Sequence, residues 1–189
     1  MTMSRKLVES ITGEYSRYKA LGEGAFAQVQ DADLSKELGD GTNSIAVLVW
    51  HLGGNFKSRF MDFRTTDGEK PWRHRDEEFV HREISRQELL AKWEEGWSAL
   101  RAALSELTDD DLSATITLRG QPLTIDQALL RSLAHASYHV GQIVQIAKVL
   151  RGKQWQTLSI PRGGSEAYNR NPISETPEVH AASIKQRTS

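Results

Sequence analysis

Cysteine is absent from this 189-residue sequence, and that absence removes disulfide scaffolding, thiolate zinc sites and cysteine nucleophiles together. It also suits a reducing compartment. An excess of either charge is lacking too: 24 Lys and Arg stand against 25 Asp and Glu, a formal net charge of −1. No whole-molecule field would therefore draw in nucleic acid or an anionic bilayer. No apolar run approaches the roughly 18–20 residues of a membrane-spanning helix. Met1 to Ser10 lacks the apolar stretch of a signal peptide. The expectation is a cytoplasmic protein with neither nucleic acid nor membrane as partner. What is present, 38% hydrophobic and 26% charged residues, is the balance of a globular chain long enough for one domain with a substantial core.

Four helices are expected from apolar period and capping residues. Leu7, Val8, Ile11, Tyr15, Tyr18, Ala25, Phe26 and Val29 form a first stripe at three- and four-residue steps. Asp31 to Gly41 leads out of it. A second helix begins at Asn43 or Ser44, either able to cap free N–H groups, and continues through Ile45, Leu48, Val49, Leu52, Phe56 and Phe60. Periodicity then stops in the charged stretch 62–83, a length that suggests a lid or binding loop. In that reading Asp67 to Arg75 covers the site and Trp72 closes over substrate or merely anchors the loop. A capping box, Ser85 with Glu88, opens the third helix, which runs through Leu89, Leu90, Trp93, Trp97, Leu100 and Leu104. Alternation over Ala114 to Ile125, punctuated by Gly120 and Pro122, predicts a two-stranded hairpin. Thr124 and Gln127 then start a fourth helix that ends near Arg151-Gly152. The domain is expected over residues 1–160, with 161–189 an extended polar tail crossing the bundle or a partner.

His135 and His139 lie four residues apart in the fourth helix, so their rings share one face a turn apart, where two imidazoles can bind one ion. Arg131 and Gln142 flank that face. The plainer reading is a pair of core histidines bonded to carbonyls or carboxylates. Ala136 stands where a His-Glu-x-x-His metalloprotease motif would place its glutamate base. His51, on the edge of the second helix's stripe with Asn55 one turn on, could meet the pair across an antiparallel bundle. Three neutral imidazoles with open positions would be a catalytic rather than a closed arrangement. No acidic residue lies between the two fourth-helix histidines or within a turn of His51, so no general base is evident. His74 and His81 fall in the charged loop and read as solvated; His180 falls in the tail.

The segments Asn43-Ser44-Ile45-Ala46 and Val49-Trp50-His51-Leu52-Gly53-Gly54-Asn55 resemble the second-helix motif of the DinB-like (damage-inducible protein B-like) superfamily. Leu133-Ala134-His135-Ala136-Ser137-Tyr138-His139-Val140-Gly141-Gln142-Ile143 resembles its His-x-x-x-His motif. Asp67-Gly68-Glu69-Lys70-Pro71-Trp72 and Leu158-Ser159-Ile160-Pro161-Arg162-Gly163 are similar to an uncharacterised branch of it. The resemblance spans roughly Glu14 to Asn169. It implies an all-α fold with a short hairpin, an up-down-down-up four-helix bundle, commonly homodimeric, with a metal held by His51, His135 and His139. Characterised relatives act with low-molecular-weight thiols, as bacillithiol transferases and mycothiol-dependent isomerases do.

The function expected is that of a metal-dependent hydrolase or thiol transferase acting on a small molecule. One divalent ion is expected, zinc or nickel before iron or manganese. Asn55, Arg131, Tyr138 and Gln142 are the candidate orienting residues. The alternatives are a non-catalytic metal- or ligand-binding stress protein and a homodimer braced by a structural metal.

Overall fold

The computed structural model describes residues 4–188. Four long helices form the bundle: α1 (Lys6–Phe26), α2 (Ile45–Phe60), α3 (Arg86–Ser105) and α4 (Ile125–Arg151). Their starts follow the local chemistry. Ser44 caps α2 by accepting from the Val47 N–H at 3.2 Å. Ser85 and Glu88 satisfy each other's backbone N–H groups at the head of α3. Gln127 accepts from the Thr124 N–H at 3.1 Å ahead of α4.

Cross-helix contacts fix the directions. Along α2 and α3 they advance in step, Trp50 beside Lys92, Gly53 against Gly96 and Phe56 against Trp97, so these helices are parallel. Between α1 and α3 they run counter, Tyr15 to Trp97 and Gly22 to Trp93. α1 and α4 advance together, Tyr15 bonding the Leu129 carbonyl and Gln28, just past α1, pairing with Gln156 just past α4. The order is therefore up-down-down-up. Parallel neighbours need a long return, and this is the structural reason for the charged stretch between α2 and α3.

α2 and α3 cross at glycines. A Cβ on Gly96 would sit 2.7 Å from the Gly53 Cα, so backbones approach as closely as they do only because neither residue has a side chain. Around the crossing, Tyr15, Phe26, Phe56, Trp93 and Trp97 pack edge-to-face or tilted, with ring centroids between 4.8 and 6.3 Å.

The hairpin, β1 (Thr115–Leu118) with β2 (Gln121–Thr124), is antiparallel, Thr115 opposite Thr124 and Leu118 opposite Gln121. Its two-residue turn, Arg119-Gly120, has positive φ at both positions (53° and 71°), the type I′ geometry that matches strand twist. Asp67 reaches across from the charged stretch and accepts from the Arg119 and Gly120 N–H groups at 2.8 and 2.7 Å.

The segment expected as an extended tail contains two helices, α5 (Ser165–Arg170) and α6 (Pro177–Thr188). α6 lies along α1, burying Ile184 completely against Gly24, while Gly13 makes room for Pro177 and Glu178. Its start has a physical cause: the Thr176 carbonyl and hydroxyl accept from the first free N–H groups, and Pro177 follows, preset for a first helical turn. No helix among the described residues is long and apolar enough to cross a membrane.

Candidate metal centre

α2 presents His51 and α4 presents His135 and His139 to one point between them. His51 and His139 are buried and His135 half-buried. One ligand nitrogen from each lies within 4.8 Å of the other two, and the Nε2 atoms of His51 and His135 are 3.0 Å apart. A tetrahedral ion with bonds near 2.0–2.1 Å holds its nitrogens roughly 3.3 Å apart, and the three ring nitrogens are spaced on that scale.

The partners of the outer nitrogens decide which lone pairs face inward. Glu78 Oε2 lies 2.9 Å from His51 Nδ1. Burial pushes the Glu78 carboxyl up, but hydrogen bonds from Arg73 and His51 outweigh it and hold it below the usual carboxylate value. A charged carboxylate only accepts, so Nδ1 of His51 carries a proton, and in the neutral ring the lone pair is then on Nε2. Gln142 Oε1 accepts from His139 Nδ1 at 2.9 Å, with the same result for His139. Burial, then the neighbouring His139, His51, Arg73 and Arg59, pushes His135 down to about 3, and burial first also lowers His139. Neutral rings with two lone pairs converging on one point repel unless a proton or cation lies between them. The donor set therefore fits a borderline divalent ion. His135 differs from the others: its Nδ1 is buried without a partner among the described residues.

The carboxylate that orients His51 comes from the charged stretch, 27 residues along the chain from His51. Glu78 sits in a 3-10 turn, Arg75–Phe79, whose Phe79 ring packs 4.5 Å from the His51 ring. Arg73 clamps Glu78 with two bonds of 2.8 Å. Gly54 leaves the space that Glu78 fills: a Cβ there would collide with Glu78 Oε1. No sequence pattern marked Glu78 or Arg73 as buried, since both lie in an aperiodic run of charges.

A cleft of about 710 Å³ opens over the three histidines. Asn55, Arg131 and Tyr138 line it, Tyr138 being 64% exposed with its ring 5.0 Å from that of His139. Gln142 stands behind His139 rather than in the cleft. Trp72 does not close over the site. It is 43% exposed, lines a separate depression with Trp50 and carries Lys57 over its ring. The stretch from Asp67 is no free lid either, because Asp67 is pinned to the hairpin turn and Glu78 to Arg73. His74 is exposed, His81 is held between Glu37 and Glu83 at 3.0 Å each, and His180 bonds the Leu158 carbonyl.

Comparison with known proteins places this architecture. A family model described as a protein of unknown function (DUF1572) matches residues 2–164. The chain belongs to that family. Among solved structures, this DUF1572 member is similar to a DinB-like protein from Bacillus cereus, with a TM-score of 0.57 and 18% identity over 75% of this chain and 91% of that one. At that identity the likeness establishes a shared DinB-like fold. No curated protein matches the DUF1572 chain.

Proposed function

We propose that this chain binds one divalent metal ion through His51, His135 and His139 and uses it on a small molecule held in the cleft, as a metal-dependent hydrolase or thiol transferase. The observation that carries the reading is the convergence of three imidazoles, two with their inner lone pairs set by Glu78 and Gln142, at the floor of an open cleft. A structural brace would complete a closed shell of protein ligands. Here the candidate cluster holds only three residues among those described, and the cleft leaves the remaining side open.

When bound, the ion supplies Lewis acidity, lowering the pKa of a water or thiol brought to it or polarising an electrophile. The chain's own residues do the rest. Glu78 fixes the tautomer and orientation of His51, and Arg73 holds Glu78 in its charged form. Asn55, Arg131 and Tyr138, which line the cleft, would orient the substrate. Among the described residues no Asp or Glu lines the cleft, so none of them supplies a carboxylate general base there.

The test is metal analysis of protein purified without a nickel column, followed by single substitutions. A near-stoichiometric ion that is lost in His51→Ala, His135→Ala and His139→Ala, with the bundle still folded, supports the reading. Loss of the fold with the metal would instead favour the brace. Thiol–electrophile, ester and amide panels, run with and without the ion, then separate an enzyme from a binding protein. Sedimentation of the same preparation tests the expected homodimer.

A further inference from the structure

Among the described residues five arginines line the cleft and no acidic side chain does: Arg59, Arg73, Arg75, Arg119 and Arg131. In a chain of net charge −1, such segregation is a local feature with its own cause. Among the described residues three carboxylates pair with these cations. Glu78 is spent on Arg73 and on His51. Glu69 is shared by Arg59 and Arg119, at 3.3 and 2.7 Å. Asp76 meets Arg75 at 3.3 Å, with Asp76 almost wholly in water, where the pair counts for little. Arg131 has no hydrogen bond or ion pair among the described residues. Burial first, and then the charge of Arg73, pushes the Arg59 guanidinium below its ordinary value, as expected where cations are crowded.

The opposite character is also present. Phe60, Ile116, Leu118 and Leu123 line the same cleft, the last three from the hairpin. One lining thus combines three imidazoles, an apolar wall, and free N–H groups at Arg119, whose Nε alone is taken by Glu69, and at Arg131, one helical turn before His135.

From this arrangement we propose that the cleft selects an organic anion, an apolar body carrying a carboxylate, phosphate or sulfonate, with Arg131 and Arg119 binding the acid group. Guanidinium forks suit such oxyanions because their parallel N–H groups match two oxygens at once. The absence of any acid in the lining rejects the corresponding amine and leaves a neutral analogue without charge pairing. The inference deepens the proposed function by naming its substrate class, and it rests on that reading only in treating the histidine end of the cleft as the reacting end.

The test uses 3-phenylpropionate, 3-phenylpropyl phosphate and 3-phenylpropanesulfonate against 3-phenylpropanol and 3-phenylpropylamine. Affinities come from amide chemical-shift titrations on both metal-free and zinc-loaded full chain. At least one acid should bind roughly tenfold tighter than the alcohol in both forms, with shifts at Arg119, Arg131 and the hairpin, and the amine should bind weakest. Arg131→Gln and Arg119→Gln, both at exposed positions, should erase most of that preference while leaving zinc stoichiometry unchanged. Equal affinity for acid and alcohol overturns the inference. So does a preference that appears only with zinc and ignores both substitutions, since the acid is then merely a metal ligand. If zinc fails to bind but the arginine-dependent preference persists, the metal reading falls and the anion site stands.

Discussion

Replacing Glu78 by glutamine separates what the buried network does for the fold from what it does for the metal centre. Side-chain exposure is 2% at Arg73 and 8% at Glu78, and two bonds of 2.8 Å join them. The substituted amide could still accept from His51 and from one guanidinium nitrogen, but the Arg73 charge would be left without a counterion. Breaking a buried pair on one side costs about 3–5 kcal/mol. In a chain of this length that lowers Tm by about 6–20 °C. The carboxylate that holds His51 is lost as well, and outer-shell changes of this kind cost roughly 10–100-fold in metal affinity.

The pH dependence has a definite sign. The folded pKa of Glu78 lies below the ordinary value, so its stabilisation is complete at neutral pH and is lost as pH falls through that depressed value. Thermal unfolding of metal-free protein across pH, beside chelator-competition titration of the metal, measures both effects. The double variant Glu78→Gln with Arg73→Met removes the stranded charge and should recover much of the stability without recovering the metal affinity. Unchanged Tm together with unchanged metal affinity in Glu78→Gln would refute the reasoning.

Gly54→Ala places a methyl group where Glu78 Oε1 sits, so metal affinity should fall about as far as in Glu78→Gln, read by the same chelator competition. Gly96→Ala pushes α3 off the Gly53 backbone and should cost about 1–3 kcal/mol by overpacking, a fall in denaturation midpoint with no specific effect on metal. Ile184→Ala removes the fully buried side chain that seats α6 on α1. It should destabilise by about 2–5 kcal/mol if α6 belongs to the cooperative unit, whereas a loss within experimental error would mean that α6 unfolds separately. Asp67→Ala frees the turn amides of Arg119 and Gly120, and their hydrogen exchange should quicken while that of α3 amides does not.

The bundle was legible because periodicity and caps act locally. Ser44, the Ser85–Glu88 box and the Gln127 side chain each satisfy nearby backbone groups, Gly120 supplies a positive φ at the hairpin turn, and the structure uses each of them. His135 and His139 were legible for the same reason, being one helical turn apart, while His51 joins them only through tertiary packing. α6 was missed because just Ala181 and Ile184 on it are buried, too few for an apolar stripe. Glu78 was out of reach of any local rule. Its burial depends on Gly54 leaving a space and on Arg73 supplying a charge, two residues that look ordinary in the sequence. Trp72 shows the converse, an aromatic in a long loop that suggested a lid and instead stands beside Lys57, outside the cleft.

The convergence of three rings on one ion is tested most directly by an anomalous-scattering map from crystals of protein purified without nickel. The account predicts a single strong peak within bonding distance of ring nitrogens from His51, His135 and His139, with Glu78 still on His51. A map without such a peak, in crystals grown with excess zinc and with the three rings bonded to water or backbone instead, would contradict it.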